Sequence, residues 1–153
     1  MQNHHEYPID VRWGEMDALG HVNNTEYLRY FESARVEWFE GMGSHLVGGE
    51  VGPVVLKSTT LYHLPVIYPN RLKVVTRVER VGNTSYTLAQ QLRGRDDDAL
   101  YTESDLTCVW VDRVTGGLFP LRIFCASFWL SACRVKINDH GRNCCRANLS
   151  IIR

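Results

Sequence analysis

The sequence predicts an α+β fold in which an antiparallel sheet wraps around one long central helix. Three features carry this: a period-two stretch near the N-terminus, an amphipathic stripe from 24 to 40, and four β-rich segments separated by turn signals.

The elements follow in order. Tyr7, Ile9, Val11 and Trp13 alternate with Pro8, Asp10 and Arg12, which reads as a half-buried strand with Pro8 near its start or on an edge. In the next element Tyr27, Tyr30, Phe31, Ala34 and Trp38 recur at steps of three and four and form one apolar stripe. Asn23 is a good N-cap, and Glu26 has capping-box spacing to it. Glu26/Arg29 and Glu32/Arg35 have the spacing of ion pairs, and Gly41 and Gly43 suit the end. A helix over 24–40 is roughly 25 Å long at 1.5 Å per residue, and its aromatic stripe requires a broad apolar partner.

That partner is a sheet built from 54–64, 71–81, 85–93 and 100–112. In 71–81 Leu72, Val74, Thr76 and Val78 alternate with charged residues, and in the last segment Leu106, Cys108 and Trp110 share a face. Gly82-Asn83, 94–98 and 112–117 read as turns. Short connections imply an antiparallel meander.

Composition narrows the function. The chain has 153 residues, enough for one domain with a real core, and Lys+Arg balances Asp+Glu at 17 each. Zero net charge gives no general electrostatic case for nucleic acid or an anionic membrane. No apolar run is long enough to span a bilayer, and residues 1–10 have no signal-like apolar core, so a cytoplasmic protein is expected. The balance changes near Gly117: Arg122, Arg134, Lys136, Arg142, Arg146 and Arg153 face one acid, Asp139, and four of the five cysteines lie there. Residues 1–117 read as the domain and 118–153 as an atypical, poorly packed C-terminal extension. Cys133, His140, Cys144 and Cys145 are poorly spaced for tetrahedral zinc, so neither metal nor cofactor is expected.

The chemistry-bearing stretch is "GEMDALGHVNNT", 14–25. Asp17 sits in a Gly-flanked turn just before the helix and has two readings. It is a local Asx-turn residue, or it is a reactive carboxylate beside the free N–H groups of a helix N-terminus, which can hold a developing oxyanion. His21 is a hydrogen-bond partner or a site residue, and Asn23 and Asn24 are caps by default.

The run "RWGEMDALGHVNNTEYLRYFESARVEW" closely resembles the opening of the hotdog-fold acyl-CoA thioesterases of the 4-hydroxybenzoyl-CoA thioesterase class. Arg12, Asp17, Gly20, His21, Val22, Asn23, Asn24, Tyr27, Tyr30, Glu32, Ala34 and Arg35 match in register with the pattern R-x-x-D-x-D-x-x-G-H/I-V-N-N-x-x-Y-x-x-Y-x-E-x-A-R. "YPNRLKVVTRVERVGNTSYTLAQQL" resembles a later block, and the likeness covers about residues 5–117. The resemblance implies a hotdog fold and hydrolysis of an acyl-CoA thioester. It implies Asp17 as nucleophile or general base, the Asn24 backbone N–H as the group polarising the carbonyl, and His21 and Asn23 lining the site; Thr25, in the first turn of the helix, is the further substrate-binding candidate. It also implies a homodimer or homotetramer with sites between protomers. Arg71, Lys73 and Arg77 are candidates for the nucleotide end, with a solvated strand face as the competing reading. An acyl carrier protein thioester as substrate, or a non-catalytic acyl-CoA-binding module, are the alternatives. Two departures stand out. Glu15 occupies a position where the family usually has Asp, and the segment after "VDRVTG" does not resemble the family's short Pro-containing segment and terminal helix.

Overall fold

A computed structural model describes residues 4–41 and 49–121. Its elements run β1 (His5–Asp10), a single 3-10 turn (Trp13–Glu15), α1 (Asn24–Gly41), β2 (Val51–Tyr62), β3 (Arg71–Val81), β4 (Ser85–Gly94) and β5 (Leu100–Asp112). The five strands form one sheet in the order β1-β3-β4-β5-β2, every neighbour antiparallel. The expected class, one long helix on an antiparallel sheet, is the observed one. Among the described residues no helix is long and apolar enough to cross a membrane.

Three local expectations are corrected. The first strand ends at Asp10, and Trp13 leaves the pattern and stands 76% exposed. The cause is Glu15, whose Oε2 accepts the Arg12 N–H at 2.7 Å and whose own N–H reaches the Arg12 carbonyl at 3.1 Å, winding the chain into the 3-10 turn. The meander holds only for β3, β4 and β5. β2 pairs with β5 rather than with β3, so it closes the far edge of the sheet. Glu26 does not complete a capping box: the Asn23 N–H it would accept goes to the Glu15 carbonyl at 2.9 Å, and Glu26 pairs with Arg29 at 3.3 Å.

The buried face of α1 carries Tyr27, Tyr30, Phe31, Ala34 and Phe39; Trp38 is half-buried and stacks on His5 and Phe39. The helix lies over β1, β3 and β4. The core under it divides into two apolar clusters. One gathers Ile9, Tyr30, Phe31, Leu72, Val74 and Leu92; the other gathers Phe39, Leu88, Leu106, Cys108 and Trp110.

A polar row separates them. His5, Thr76, Gln90, Ser104 and Thr60 are direct cross-strand partners, one from each strand in sheet order. Gln90 is the hub of the row. Its Nε2 donates to the Phe31 carbonyl at 3.1 Å and lies 3.0 Å from Thr76 Oγ1, while its Oε1 accepts from Arg35 Nη1 at 2.8 Å. Arg35, which has the spacing to pair with Glu32, therefore reaches the sheet instead, and burial lowers its guanidinium pKa from the ordinary value. Farther along, Ser104 Oγ meets Thr60 Oγ1 at 3.0 Å and Ser58 Oγ at 3.3 Å.

The turn at the end of β5 is held by Asp112, whose Oδ1 accepts the N–H groups of Val114 and Thr115 at 2.8 and 2.9 Å. The chain then stays on the body. Phe119 N–H bonds to the Trp110 carbonyl, Leu121 N–H bonds to the Asn83 carbonyl, and Leu121 is buried in the second cluster. The packed body thus continues through Leu121, past the change of composition at Gly117. Residues 122–153 of the proposed extension, with Cys133, His140, Cys144 and Cys145, lie outside the described residues.

Candidate active site

Residues 16–22 form a small closed turn between the 3-10 turn and α1. Met16 and Val22 make an antiparallel bridge, the Asp17 N–H bonds to the His21 carbonyl at 2.8 Å, and Gly20 N–H bonds to the Asp17 carbonyl at 3.1 Å. Gly20 has φ +82°, a left-handed conformation that glycine adopts without strain. The turn is pinned to the body by the Val22 N–H, which reaches the Val66 carbonyl at 2.8 Å. Tyr27 of α1 fixes the same segment through its hydroxyl, which accepts the Val66 N–H at 3.0 Å.

Asp17 makes the local Asx-turn and also faces His21. Its Oδ1 accepts the Leu19 N–H at 2.8 Å, which is the Asx-turn, and its Oδ2 stands 3.5 Å from His21 Nδ1. The backbone contact thus orients one oxygen and leaves the other on the His21 side. Asp17 is also close enough to Tyr27 that its charge helps raise the phenol's pKa, after the larger effect of burial.

Asn23 caps α1 as the spacing predicts, its Oδ1 accepting the Thr25 N–H at 3.0 Å and the Thr25 hydroxyl at 2.8 Å. Asn24 is the first helical residue. Its N–H lies in the turn of helix where no intrahelical acceptor exists, at the positive end of the macrodipole. The structure therefore brings Asp17, His21, Asn23, Asn24 and Thr25 into one contiguous unit, a turn followed at once by a capped helix start.

Two further residues contribute to this unit: Glu15, noted in the sequence only as a departure from the family pattern, and Tyr27, assigned there to the core. Glu15 links it to the helix, through its carbonyl to Asn23 N–H and through Oε2 to the Tyr30 hydroxyl at 2.6 Å. Tyr27 holds the Val66 strap beside it. Sequence spacing marks both tyrosines as core, and nothing in that spacing tells which hydroxyl finds a polar partner.

A cleft of about 460 Å³ opens beside this unit, between α1 and the β5–β2 side of the sheet. Thr25, Leu28 and Arg35 line it from the helix and Val55, Ser58 and Ser104 from the strands, so it begins in the first turn of α1. Arg71 and Lys73, considered for a nucleotide, are engaged on the sheet. Arg71 pairs with Asp96 at 2.9 Å and Lys73 with Asp98 at 3.2 Å, which favours the solvated-face reading for both.

Residues 11–147 match the model of the Thioesterase-like superfamily, and the chain belongs to that family. It is similar to the long-chain acyl-CoA thioesterase FadM of Escherichia coli, 25% identical over 109 residues that cover 70% of this chain and 83% of the relative. The acyl-CoA thioester hydrolase YbgC of Escherichia coli is 27% identical over 109 residues, covering 69% and 81%. Among solved structures, the PA2801 protein of Pseudomonas aeruginosa, described as a proposed thioesterase, is 42% identical with a TM-score of 0.73, covering 76% of this chain and 90% of that one. The DHNA-CoA thioesterase of Staphylococcus aureus, at 20% identity and a TM-score of 0.73, shares the fold over 84% of this chain and 87% of its own.

Proposed function

We propose that this chain is an acyl-CoA thioesterase, hydrolysing an acyl-CoA thioester to the free acid and CoA. The observation that carries the reading is the union of the Asp17 turn and the N-terminus of α1 into one hydrogen-bonded piece. A carboxylate with one oxygen held by backbone, and the Asn24 N–H at the positive end of the helix, are the two halves of an acyl-transfer site. Family membership and the named activities of FadM and YbgC support the same conclusion.

In this reading the thioester carbonyl oxygen accepts the Asn24 N–H, and charge developing on it is stabilised by the helix start. Asp17 either attacks the carbonyl carbon, giving a mixed anhydride that water cleaves, or takes a proton from water as that water attacks. In both routes the C–S bond breaks and CoA leaves as the thiolate, which then takes a proton. His21, Asn23 and Thr25 line the approach, and the acyl group enters the cleft that starts at Thr25. That cleft's volume is within the range of small-molecule sites.

The active form is a homodimer or homotetramer. β2 supports this: it is a long strand at the sheet edge, and Val54, Val55, Leu56 and Leu61 are exposed on it. An edge of that kind is normally covered. The reading places the reaction in the cytoplasm and needs no metal or cofactor.

Thiol release from short, long and aromatic acyl-CoAs, and from the same acyl groups on acyl carrier protein, tests the proposal. Turnover of at least one acyl-CoA, faster than of its carrier-protein counterpart, is expected. Turnover on the carrier protein alone would move the substrate assignment, and saturable acyl-CoA binding with no turnover would make the chain a binding module.

A further inference from the structure

The Asp17 carboxylate is held within its own turn; Tyr27 ties the far end of that turn to α1 through Val66, and Glu15 ties the near end to α1 through Tyr30. The Glu15 side-chain oxygen Oε2 receives two hydrogen bonds, from the Arg12 N–H at 2.7 Å and the Tyr30 hydroxyl at 2.6 Å. Its carbonyl receives the Asn23 N–H at 2.9 Å. One residue thus joins the chain entering the turn, the residue leaving it, and the body of the helix. The Tyr30 contact has the length of a charge-assisted O–H···O⁻ bond, among the stronger hydrogen bonds in proteins. Tyr30 is buried and lies well inside α1, so it is a fixed anchor. Burial, and then Glu15 itself, raise the phenol's pKa far above its ordinary value, so it remains a donor at any working pH.

Glu15 precedes Asp17 by two residues, and a tilt at Glu15 is transmitted directly to the carboxylate. The Asn24 N–H belongs to the helix, whose body the Tyr30 contact reaches. The side chain's length matters for the same reason. An Asp at 15 would be one methylene shorter, about 1.5 Å of reach, and would not span from the 3-10 turn to Tyr30 while still accepting from Arg12.

We propose that Glu15 and Tyr30 are positioning residues for the thioesterase reaction: their hydrogen bond sets the angle between the Asp17 turn and the start of α1, so that carboxylate and Asn24 N–H converge on one carbonyl. The proposal rests on the reading of Asp17 as the reacting carboxylate. Neither residue touches the substrate in it.

The test measures kcat, KM, affinity for a non-hydrolysable thioether analogue of acyl-CoA, and the urea midpoint, in Tyr30→Phe, Glu15→Ala, Glu15→Gln, Glu15→Asp and Asp17→Asn. Misplacement of a reacting group by an ångström costs up to about a hundredfold in rate. Tyr30→Phe, Glu15→Ala and Glu15→Asp should therefore lose roughly tenfold or more in kcat, with KM and analogue affinity within about twofold of the parent. Glu15→Gln keeps an acceptor oxygen at the same reach and should recover at least half of the Glu15→Ala loss on a logarithmic scale. A purely structural contact would lower the urea midpoint in all the Glu15 and Tyr30 variants and leave kcat of the folded fraction unchanged; that result overturns the proposal. An impaired Asp17→Asn beside a normal Tyr30→Phe overturns the positioning role alone. An Asp17→Asn variant with full activity overturns the assignment of Asp17, and the positioning role with it.

Discussion

Asn24 contributes a backbone group, so ordinary side-chain replacement leaves its proposed role intact. Proline is the informative substitution. It is well tolerated at the first position of a helix and removes the N–H. Asn24→Pro should keep the helical circular dichroism of the parent and lower kcat by roughly 100-fold, the scale of one lost oxyanion donor; unchanged kcat would remove the N–H from the mechanism. Asn23 has a measurable structural duty beside any role in the site. Its Oδ1 holds two groups of Thr25, and Asn23→Ala should cost about 1 kcal/mol in urea unfolding, the usual loss for an N-cap. At this scale the sequence shows the inventory better than the wiring. Asp17, His21, Asn23, Asn24 and Thr25 are adjacent in the chain, so their proximity is a local property. Glu15 is also adjacent, but its meaning depends on Tyr30, fifteen residues away, and on the angle between a turn and a helix that spacing does not encode.

Among the elements, α1 and the sheet are joined by more than apolar contact. Gln90 spends its whole amide on Phe31, Thr76 and Arg35, which links the helix backbone to β3 and β4 at the seam between the two clusters. Gln90→Leu leaves the Arg35 guanidinium and the Thr76 hydroxyl without that partner in a desolvated place. It should destabilise the protein by about 3 kcal/mol, read as a lower urea midpoint; a neutral effect would show that the seam tolerates an apolar filling. The terminal turn of β5 gives a pH dependence. Hydrogen bonds from Thr115 and then Val114 hold the Asp112 carboxyl below its ordinary pKa. Such a group stabilises the folded state above its unfolded value, and the contribution disappears as pH falls through the lower folded value. Asp112→Ala should therefore narrow the stability difference between neutral and acid pH, with equal acid sensitivity in variant and parent as the contrary result. Strand positions were legible because alternation is local: β3 and β5 fall where the pattern puts them, and α1 differs by one residue at its end. The pairing of β2 with β5 was not. Short connections argue for neighbours in sequence, but residues 63–70 intervene between β2 and β3, and the Val22–Val66 and Tyr27–Val66 bonds use that segment as a strap beside the site. Gln90 reads as an interruption in an apolar alternation, and only the register reveals that Thr76, Ser104 and Thr60 line up with it.

For the molecule as a whole, β2 is an edge strand among the described residues and a cleft begins at the helix start, and the proposed oligomer covers that edge. Light scattering should give a dimer or tetramer mass, and Leu56→Lys, on the exposed edge and outside the cleft lining, should shift it toward the monomer and reduce turnover. A parent protein that is monomeric and fully active would remove the oligomer from the account. The central claim is that the carboxylate two residues beyond Glu15 carries out thioester chemistry beside the amides of α1. The most direct measurement is kcat for acyl-CoA hydrolysis by Asp17→Asn, with folding checked by its urea midpoint and substrate binding by the thioether analogue. Asparagine keeps the side-chain oxygen that the Leu19 N–H uses, so the turn should survive. A folded variant that binds the analogue like the parent and turns over at least about 100-fold more slowly is the predicted result. A folded variant hydrolysing acyl-CoA at nearly the parent rate would contradict it.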